Sequence, residues 1–312
     1  MGRRLVDVHG RRLTIDQPPT RTARRLWPAL AAPGVLWLIA LFLVPFYGVL
    51  AVAFGRVDPI FGNAVPVWNP LRWSFDSFGA ILERVVSAEL GEVFVRTAVY
   101  VGAALLICFL IGYPVAYYVA RFAGRRRGLL LALLLAPFWI NYLMRMLAWV
   151  NLLQSDGYVN DLTAAVGLGR VNWLDGRAFT VVMGLVYGYA PFLVLPLYAA
   201  LDRIDGRLLE ASRDLGMGPA ATFLRVTLPM SRQGMLAAAV ITALPMTGDY
   251  YTADLLSGSP RTSMIGNQIE FYLFSGSQKA AGASLVIILS ALLLVAMYYY
   301  LRSVDRAARV LR

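Results

Sequence analysis

The chain has 312 residues, 59% hydrophobic and only 15% charged, with a mean hydropathy of +0.62. A soluble domain carries about 25% charged residues, so this composition excludes a soluble globular protein and indicates an integral membrane protein. The formal charge is +11, and all but one of the 29 basic residues are arginine. In a membrane chain that excess reports topology, and no soluble basic face suited to nucleic acid is visible.

The lone cysteine, Cys108, lies in an apolar run and the lone histidine, His9, in a polar segment. No internal disulfide, no metal-ligand cluster and no histidine acid–base pair is therefore expected. Residues 1–26 hold seven arginines and Pro18-Pro19 without apolar periodicity, and read as a flexible basic cytoplasmic arm. The uncharged run that follows, from Trp27 to Gly55, exceeds the roughly 7–15 apolar residues of a signal peptide. It reads as a retained transmembrane helix kinked at Pro45.

Residues 56–93 read as a long mixed loop, with Trp68 and Trp73 at the membrane interface. Further apolar runs follow, giving six spans at about 28–54, 95–120, 129–153, 179–201, 235–256 and 282–301. Each is long enough to cross roughly 30 Å of hydrocarbon at about 1.5 Å per residue. The expected organisation is an arm at 1–26, an all-α transmembrane domain at 27–302 and a basic tail at 303–312. Twenty basic residues fall on the side of the termini, in 1–26, 121–127, 202–232 and 302–312, against seven on the other. That bias places both termini and the segment between spans four and five in the cytoplasm.

Pro45, Pro114, Pro137, Pro191, Pro196, Pro245 and Gly248 fall within these spans. Freed carbonyls survive in a membrane where they face neighbouring helices or a water-filled cavity. Ordinary helix packing accounts for such residues equally well.

The segment 207–229 is polar between two apolar runs. Leu208, Leu209, Ala211, Ser212 and Leu215 repeat at helical spacing, Gly216 is placed as a left-handed cap, and Pro219 suits the first turn of a second helix. Pro229 is expected to stop that helix before the next span. A Glu210 left without an outside partner would cap helix N–H groups or pair with a local arginine.

Glu210-Ala211-Ser212, Gly216 and Val226-Thr227-Leu228-Pro229 keep the spacing of the EAA loop, and the chain resembles the inner-membrane permease subunits of binding-protein-dependent ABC importers. Ser212 replaces the family's second alanine. Segments 111–121, 133–161, 187–205 and 263–270 resemble spermidine/putrescine-type permeases, and the likeness extends over about 28–302. It departs at Pro245-Met246-Thr247-Gly248-Asp249-Tyr250-Tyr251, where relatives commonly carry a Gly-Glu-Phe type sequence, and at Arg96, where many carry a small polar residue. The resemblance implies a type I ABC importer architecture with a coupling helix at 207–229 that seats in the ATPase. The implied partners are two ATPase copies, a second permease subunit that is favoured as a different gene product, and a soluble binding protein, with lipid around them. It implies the bacterial cytoplasmic membrane as the location, and a polyamine, an opine or an amino-acid derivative as cargo.

No G-x-x-x-x-G-K-[ST] loop is present, so ATP and Mg are expected on the partner, and this chain is expected to bind no cofactor and to catalyse no reaction. A multi-span membrane enzyme would want H-E-x-x-H, G-x-S-x-G or clustered acids, which are missing. A secondary transporter would want internal repeats with paired broken helices.

Ionisable groups inside spans face an interior or a cavity. Phe138, Asn141, Tyr142, Arg145 and Trp149 fall along one face of span three, because three- and four-residue steps share a face. Arg145 fits either a gate or a structural ion pair. An exposed guanidinium would repel a polyamine, which favours a carboxylate partner such as Asp249. Asp249 suits an ammonium group, with Tyr250 adding a cation–π face. Glu270, after a re-entrant candidate at 263–270, is a second carboxylate for the pathway. Trp139, Asn141, Tyr187 and Tyr189 complete the candidate lining, and packed or lipid-facing roles fit the aromatics as well.

Overall fold

The computed structural model describes residues 5–6, 12–13, 21–58, 60, 63–274 and 278–310, with side-chain surroundings described within 30–304. His9 and most of the basic arm lie outside the described residues. Two short antiparallel ladders join β1 (Leu5–Val6) to β2 (Arg12–Leu13) and β3 (Arg56–Val57) to β4 (Ala64–Val65). Everything else that is regular is helical. In order come α1 (Arg21–Leu38), α2 (Val44–Ala53), α3 (Asp76–Val86), α4 (Ala88–Arg121), α5 (Arg127–Leu135), α6 (Tyr142–Leu153) and α7 (Tyr158–Ala165). Then follow α8 (Ala178–Asp202), α9 (Gly206–Asp214), α10 (Pro219–Thr222), α11 (Leu228–Thr247), α12 (Tyr251–Leu256), α13 (Ile265–Phe274) and α14 (Lys279–Val310).

Among the described residues, four helices are singly long and apolar enough to cross a membrane: Leu30–Ala53, Ala88–Arg121, Ala178–Asp202 and Lys279–Val304. Gly124–Trp139 and Tyr142–Ala165 qualify only together, bent by 84° where they meet. The run expected at 235–256 is interrupted. It is divided between α11 and α12 by Gly248, Asp249 and Tyr250, and Arg232 and Gln233 in the first turns of α11 lower the apolarity of that helix.

The region expected as a loop at 56–93 contains α3 and the first turns of α4. Ile81, Leu90, Ile265, Tyr272, Leu285 and Leu289 form a buried cluster, so burial of one apolar face orders what reads locally as mixed sequence.

Two prolines are absorbed without a break. A π-helical turn over Ile39–Leu43 precedes Val44-Pro45, and another over Phe223–Thr227 precedes Leu228-Pro229. Proline has no N–H to give a helical carbonyl, and the wider turn moves the bond to the residue before it. Val44 N–H reaches Ile39 O, and Leu228 N–H reaches Phe223 O. Pro229 therefore does not stop the second helix of the polar segment. Residues 219–247 form one unbroken rod, roughly 40 Å long, with Pro229 in the first turn of α11.

α8 packs between α4 and α11, and α14 packs on α2, α3 and α13. The α4–α8 seam buries Cys108, Tyr113, Ala116, Leu193, Val194 and Leu197. Close approach there depends on Gly112, where a Cβ would lie 2.9 Å from Leu193 Cδ2.

Candidate functional site: a polar helical hairpin and a broken-helix elbow

The hairpin is α9 and α10. Asp205 caps α9, its Oδ1 accepting from Arg207 N–H at 3.0 Å. At the other end Gly216 adopts φ +85°, a left-handed conformation that favours glycine. Its N–H reaches Arg213 O at 2.8 Å, and Met217 N–H reaches Ser212 O at 3.1 Å. Ser212 and Thr222 are buried, with their hydroxyls 3.0 Å apart, and Ser212 also donates to Leu209 O. The serine that replaces alanine in the EAA pattern thus joins the two helices. Glu210, Ala211 and Pro229 are exposed. Among the described residues Glu210 makes no hydrogen bond or ion pair, so it neither caps a helix nor pairs with a neighbouring arginine. Leu208, Leu215 and Leu224 of the same polar segment are also exposed.

The elbow lies between α5 and α6. Pro137 tightens Ala136–Trp139 into a 3₁₀ turn, Ile140 is extended, and Asn141 caps α6 by accepting from Leu143 N–H at 2.8 Å. Phe138 and Trp149 are therefore not on one continuous helical face, because the missing proline N–H and the extended Ile140 break the ladder between them. Phe138 instead reaches across the bend.

Arg145, 7% exposed, has its guanidinium carbon 4.1 Å from the centre of the Phe138 ring, 5.3 Å from Tyr142 and 5.7 Å from Tyr187. Trp149 meets Tyr187 edge-on at 5.4 Å. The Nε and Nη1 of Arg145 have no hydrogen-bond partner among the described residues.

Asp249, 6% exposed, occupies the break between α11 and α12. Its Oδ1 accepts from Thr252 N–H at 3.0 Å, and its Oδ2 accepts from Thr252 Oγ1 at 2.6 Å and Tyr142 Oη at 2.7 Å. The expected Arg145–Asp249 ion pair is not formed. The carboxylate is occupied by hydroxyl and backbone donors, while the guanidinium faces aromatic rings. Glycines admit this packing: a Cβ at Gly188 would lie 2.9 Å from the Tyr142 ring, and one at Gly266 would lie 2.7 Å from Asp249 O.

A second acidic group lies on α13, which at 10 residues is too short to span a membrane. Glu270 and Asp254 share a hydrogen bond, and burial together with that bond raises the Glu270 carboxyl above its ordinary range. Asn267 Nδ2 donates to Asp254 Oδ1 and to Tyr250 O, both at 2.7 Å. Asp254, Ser263, Asn267, Glu270, Phe271 and Phe274 line a cavity of about 640 Å³. Arg96, whose divergence carried no role in the sequence, anchors the floor by donating to Ser263 O and Arg261 O at 2.9 and 2.7 Å.

The structure therefore gathers Asn141, Tyr142, Arg145, Tyr187 and Asp249 around the elbow, and groups Tyr250 and Glu270 around Asn267. Trp139 lies in the 3₁₀ turn of the elbow, but its side chain is 86% exposed. Asp254 and Thr252 were not singled out in the sequence. Their three-residue spacings from Tyr251 and Asp249 are ordinary helix positions, and only folding brings them to Glu270 and Tyr142.

The family model described as "Binding-protein-dependent transport system inner membrane component" matches residues 93–310. The chain is 34% identical over 268 residues to the spermidine/putrescine transport system permease protein PotB of Haemophilus influenzae, covering 86% of this chain and 90% of that protein. It is 31% identical over 271 residues to PotB of Escherichia coli, covering 86% and 94%. Its fold is similar to that of a chain in a bacterial ABC transporter involved in the import of the acidic polysaccharide alginate, with a TM-score of 0.72 at 18% identity, covering 91% of this chain and 96% of that one. The membrane-length helices, the broken-helix elbow and these matches agree: the chain belongs to the inner-membrane component family of binding-protein-dependent transport systems, and is a permease subunit of an ABC importer rather than an enzyme.

Proposed function

We propose that this permease subunit moves a small cationic solute, a polyamine of the spermidine or putrescine type, across the bacterial cytoplasmic membrane. The observation that carries the cargo reading is Asp249, a carboxylate 6% exposed and set at a helix break beside Tyr142. A buried carboxylate that forms no ion pair among the described residues suits an ammonium group. The names of the PotB relatives support the same class. Tyr250, Glu270, Asn141, Tyr187 and Trp139 are the other pathway residues in this reading, with the Glu270–Asp254 cavity on the outer side.

The remaining parts follow the same proposal. Six crossings are counted with the bent α5–α7 pair and the α11–α12 pair as one each, and the arginine bias puts both termini inside. The hairpin 207–229 is then a cytoplasmic coupling element docking on an ATPase dimer, where ATP and Mg act. The exposed Glu210 and the exposed leucines of the same segment supply polar and apolar contacts. The rod 219–247 joins that hairpin directly to Asp249. A second permease subunit and a soluble binding protein complete the importer.

The test is uptake of radiolabelled spermidine and putrescine by proteoliposomes holding the assembled transporter and its binding protein. Asp249→Asn is expected to lower uptake at least tenfold with assembly unchanged. Uptake of neither polyamine by the unmodified assembly, with an opine or amino-acid derivative taken up instead, would replace the cargo.

A further inference from the structure

Two opposite charges are buried side by side without meeting. Arg145 and Asp249 are both more than nine-tenths buried, and both contact Tyr142: the guanidinium lies over its ring and the carboxylate binds its hydroxyl. Among the described residues neither belongs to an ion pair; the pairs that form are Arg84–Glu89, Arg127–Asp202, and Arg170 with Asp156 and Asp161. Two nitrogens of Arg145 have no hydrogen-bond partner among the described residues. The flanking rings offset part of the burial of this cation, but rings do not accept hydrogen bonds in the way a carboxylate does. Burying two unpaired charges within reach of one tyrosine is unfavourable unless another arrangement joins them.

The backbone is broken beside both groups. Arg145 stands one turn into α6, just past the 84° elbow. Asp249 stands on the break at the end of the rod that begins in the hairpin. In transport proteins the substrate site is typically formed where helices are discontinuous.

We infer that Arg145 is a tethered competitor for Asp249. In the state described here the aromatic rings hold the guanidinium and leave the carboxylate to an incoming ammonium. In the opposite access state the guanidinium pairs with the carboxylate, displaces the ammonium and closes the path behind it. Arg145 thereby becomes a specificity-determining residue for release, because only a cargo held by the same charge interaction is expelled by it. This inference rests on the reading of Asp249 as the ammonium site.

The experiment uses the complete transporter in proteoliposomes with spermidine as probe, and compares Arg145→Met, Arg145→Lys and Asp249→Asn. With the competitor removed, Arg145→Met lowers the apparent KM for spermidine about threefold or more and lowers kcat at least fivefold, because release slows. Arg145→Lys stays within about threefold of the unmodified protein in both. Arg145→Gln replaces the Met variant if that does not assemble, with the same split expected.

As a second measurement, cysteines at 145 and 249 in a Cys108→Ala chain are treated with a short bifunctional thiol reagent, nucleotide-free and vanadate-trapped. A cross-link that forms in one state and not in the other supports exchange. Equal cross-linking in both states, or KM and kcat unchanged in Arg145→Met, overturns it. Loss of uptake in Asp249→Asn alongside such a result leaves the ammonium site standing and removes only the competitor. Full uptake in Asp249→Asn removes the site itself. Uptake of a carboxylate-bearing solute that Arg145→Met alone abolishes makes Arg145 a ligand for cargo and also overturns the inference.

Discussion

Ser212 Oγ and Thr222 Oγ1 lie 3.0 Å apart, both buried, and hold the two helices of the polar hairpin together. Ser212→Ala leaves the Thr222 hydroxyl buried without this partner, which costs about 1–3 kcal/mol. The double change Ser212→Ala/Thr222→Val removes both polar groups and should recover most of that loss. Thermal unfolding of the purified subunit in detergent reads the cycle. Equal melting of the single variant and the unmodified protein would mean that the hydroxyl pair does not hold the hairpin.

The exposed face of the same hairpin gives a second prediction. Among the described residues Glu210 makes no hydrogen bond or ion pair, so Glu210→Arg should leave folding and insertion intact while reversing charge on the face proposed to dock on the ATPase. Gly216→Pro cannot adopt the observed φ of +85° and loses the N–H bonded to Arg213 O. Uptake is expected to fall below about a tenth in either variant, with the amount of protein in the membrane unchanged and co-purification of the ATPase reduced. Uptake at the unmodified rate in either variant would falsify the docking role.

Glu270 predicts a pH dependence. Its carboxyl is raised by burial and by the hydrogen bond to Asp254, so the folded state holds a proton that the unfolded chain gives up at lower pH. The stability from that proton is fully present below the ordinary carboxylate value and is lost as pH rises through the raised one. On the proposed path, an ammonium bound between the two carboxyls replaces the proton, so binding would release it and apparent affinity would weaken as pH falls through the raised value. Glu270→Gln should flatten that dependence. Spermidine uptake measured across mildly acidic to neutral pH in both proteins decides it, and parallel profiles would count against cargo passing this cavity.

The fold class was legible because apolar run length depends on composition alone, and the hairpin because Gly216 and Pro219 mark local conformations that few other residues take. Breaks within helices were less legible. Pro45 reads as a kink and Pro229 as a stop, but a π turn before each passes the hydrogen bond to the preceding residue. Pro137, followed by extended Ile140 and a capping Asn141, does break its helix. Arg145 and Asp249 were visible as charges within spans, and electrostatics alone pairs them. Their separation follows from Thr252 and Tyr142 reaching the carboxylate first, which is a tertiary fact.

Gly188 tests whether that arrangement matters. A Cβ there would lie 2.9 Å from both Tyr142 Cε2 and Tyr142 Oη, closer than real side chains approach, so in Gly188→Ala the tyrosine must move. Tyr142 Oη sits 2.7 Å from Asp249 Oδ2, and a shift of a few tenths of an ångström weakens that bond. A hydrogen bond to a charged group contributes about 1.5–3 kcal/mol, which corresponds to roughly 10- to 100-fold in an equilibrium at about 1.4 kcal/mol per decade. Gly188→Ala should therefore lower spermidine uptake about tenfold or more, while Tyr142→Ala in the same chain gives the methyl room and adds little further loss. The comparison needs both chains inserted at equal levels. Uptake within twofold of the unmodified transporter in Gly188→Ala would show that the Tyr142–Asp249 contact does not govern transport.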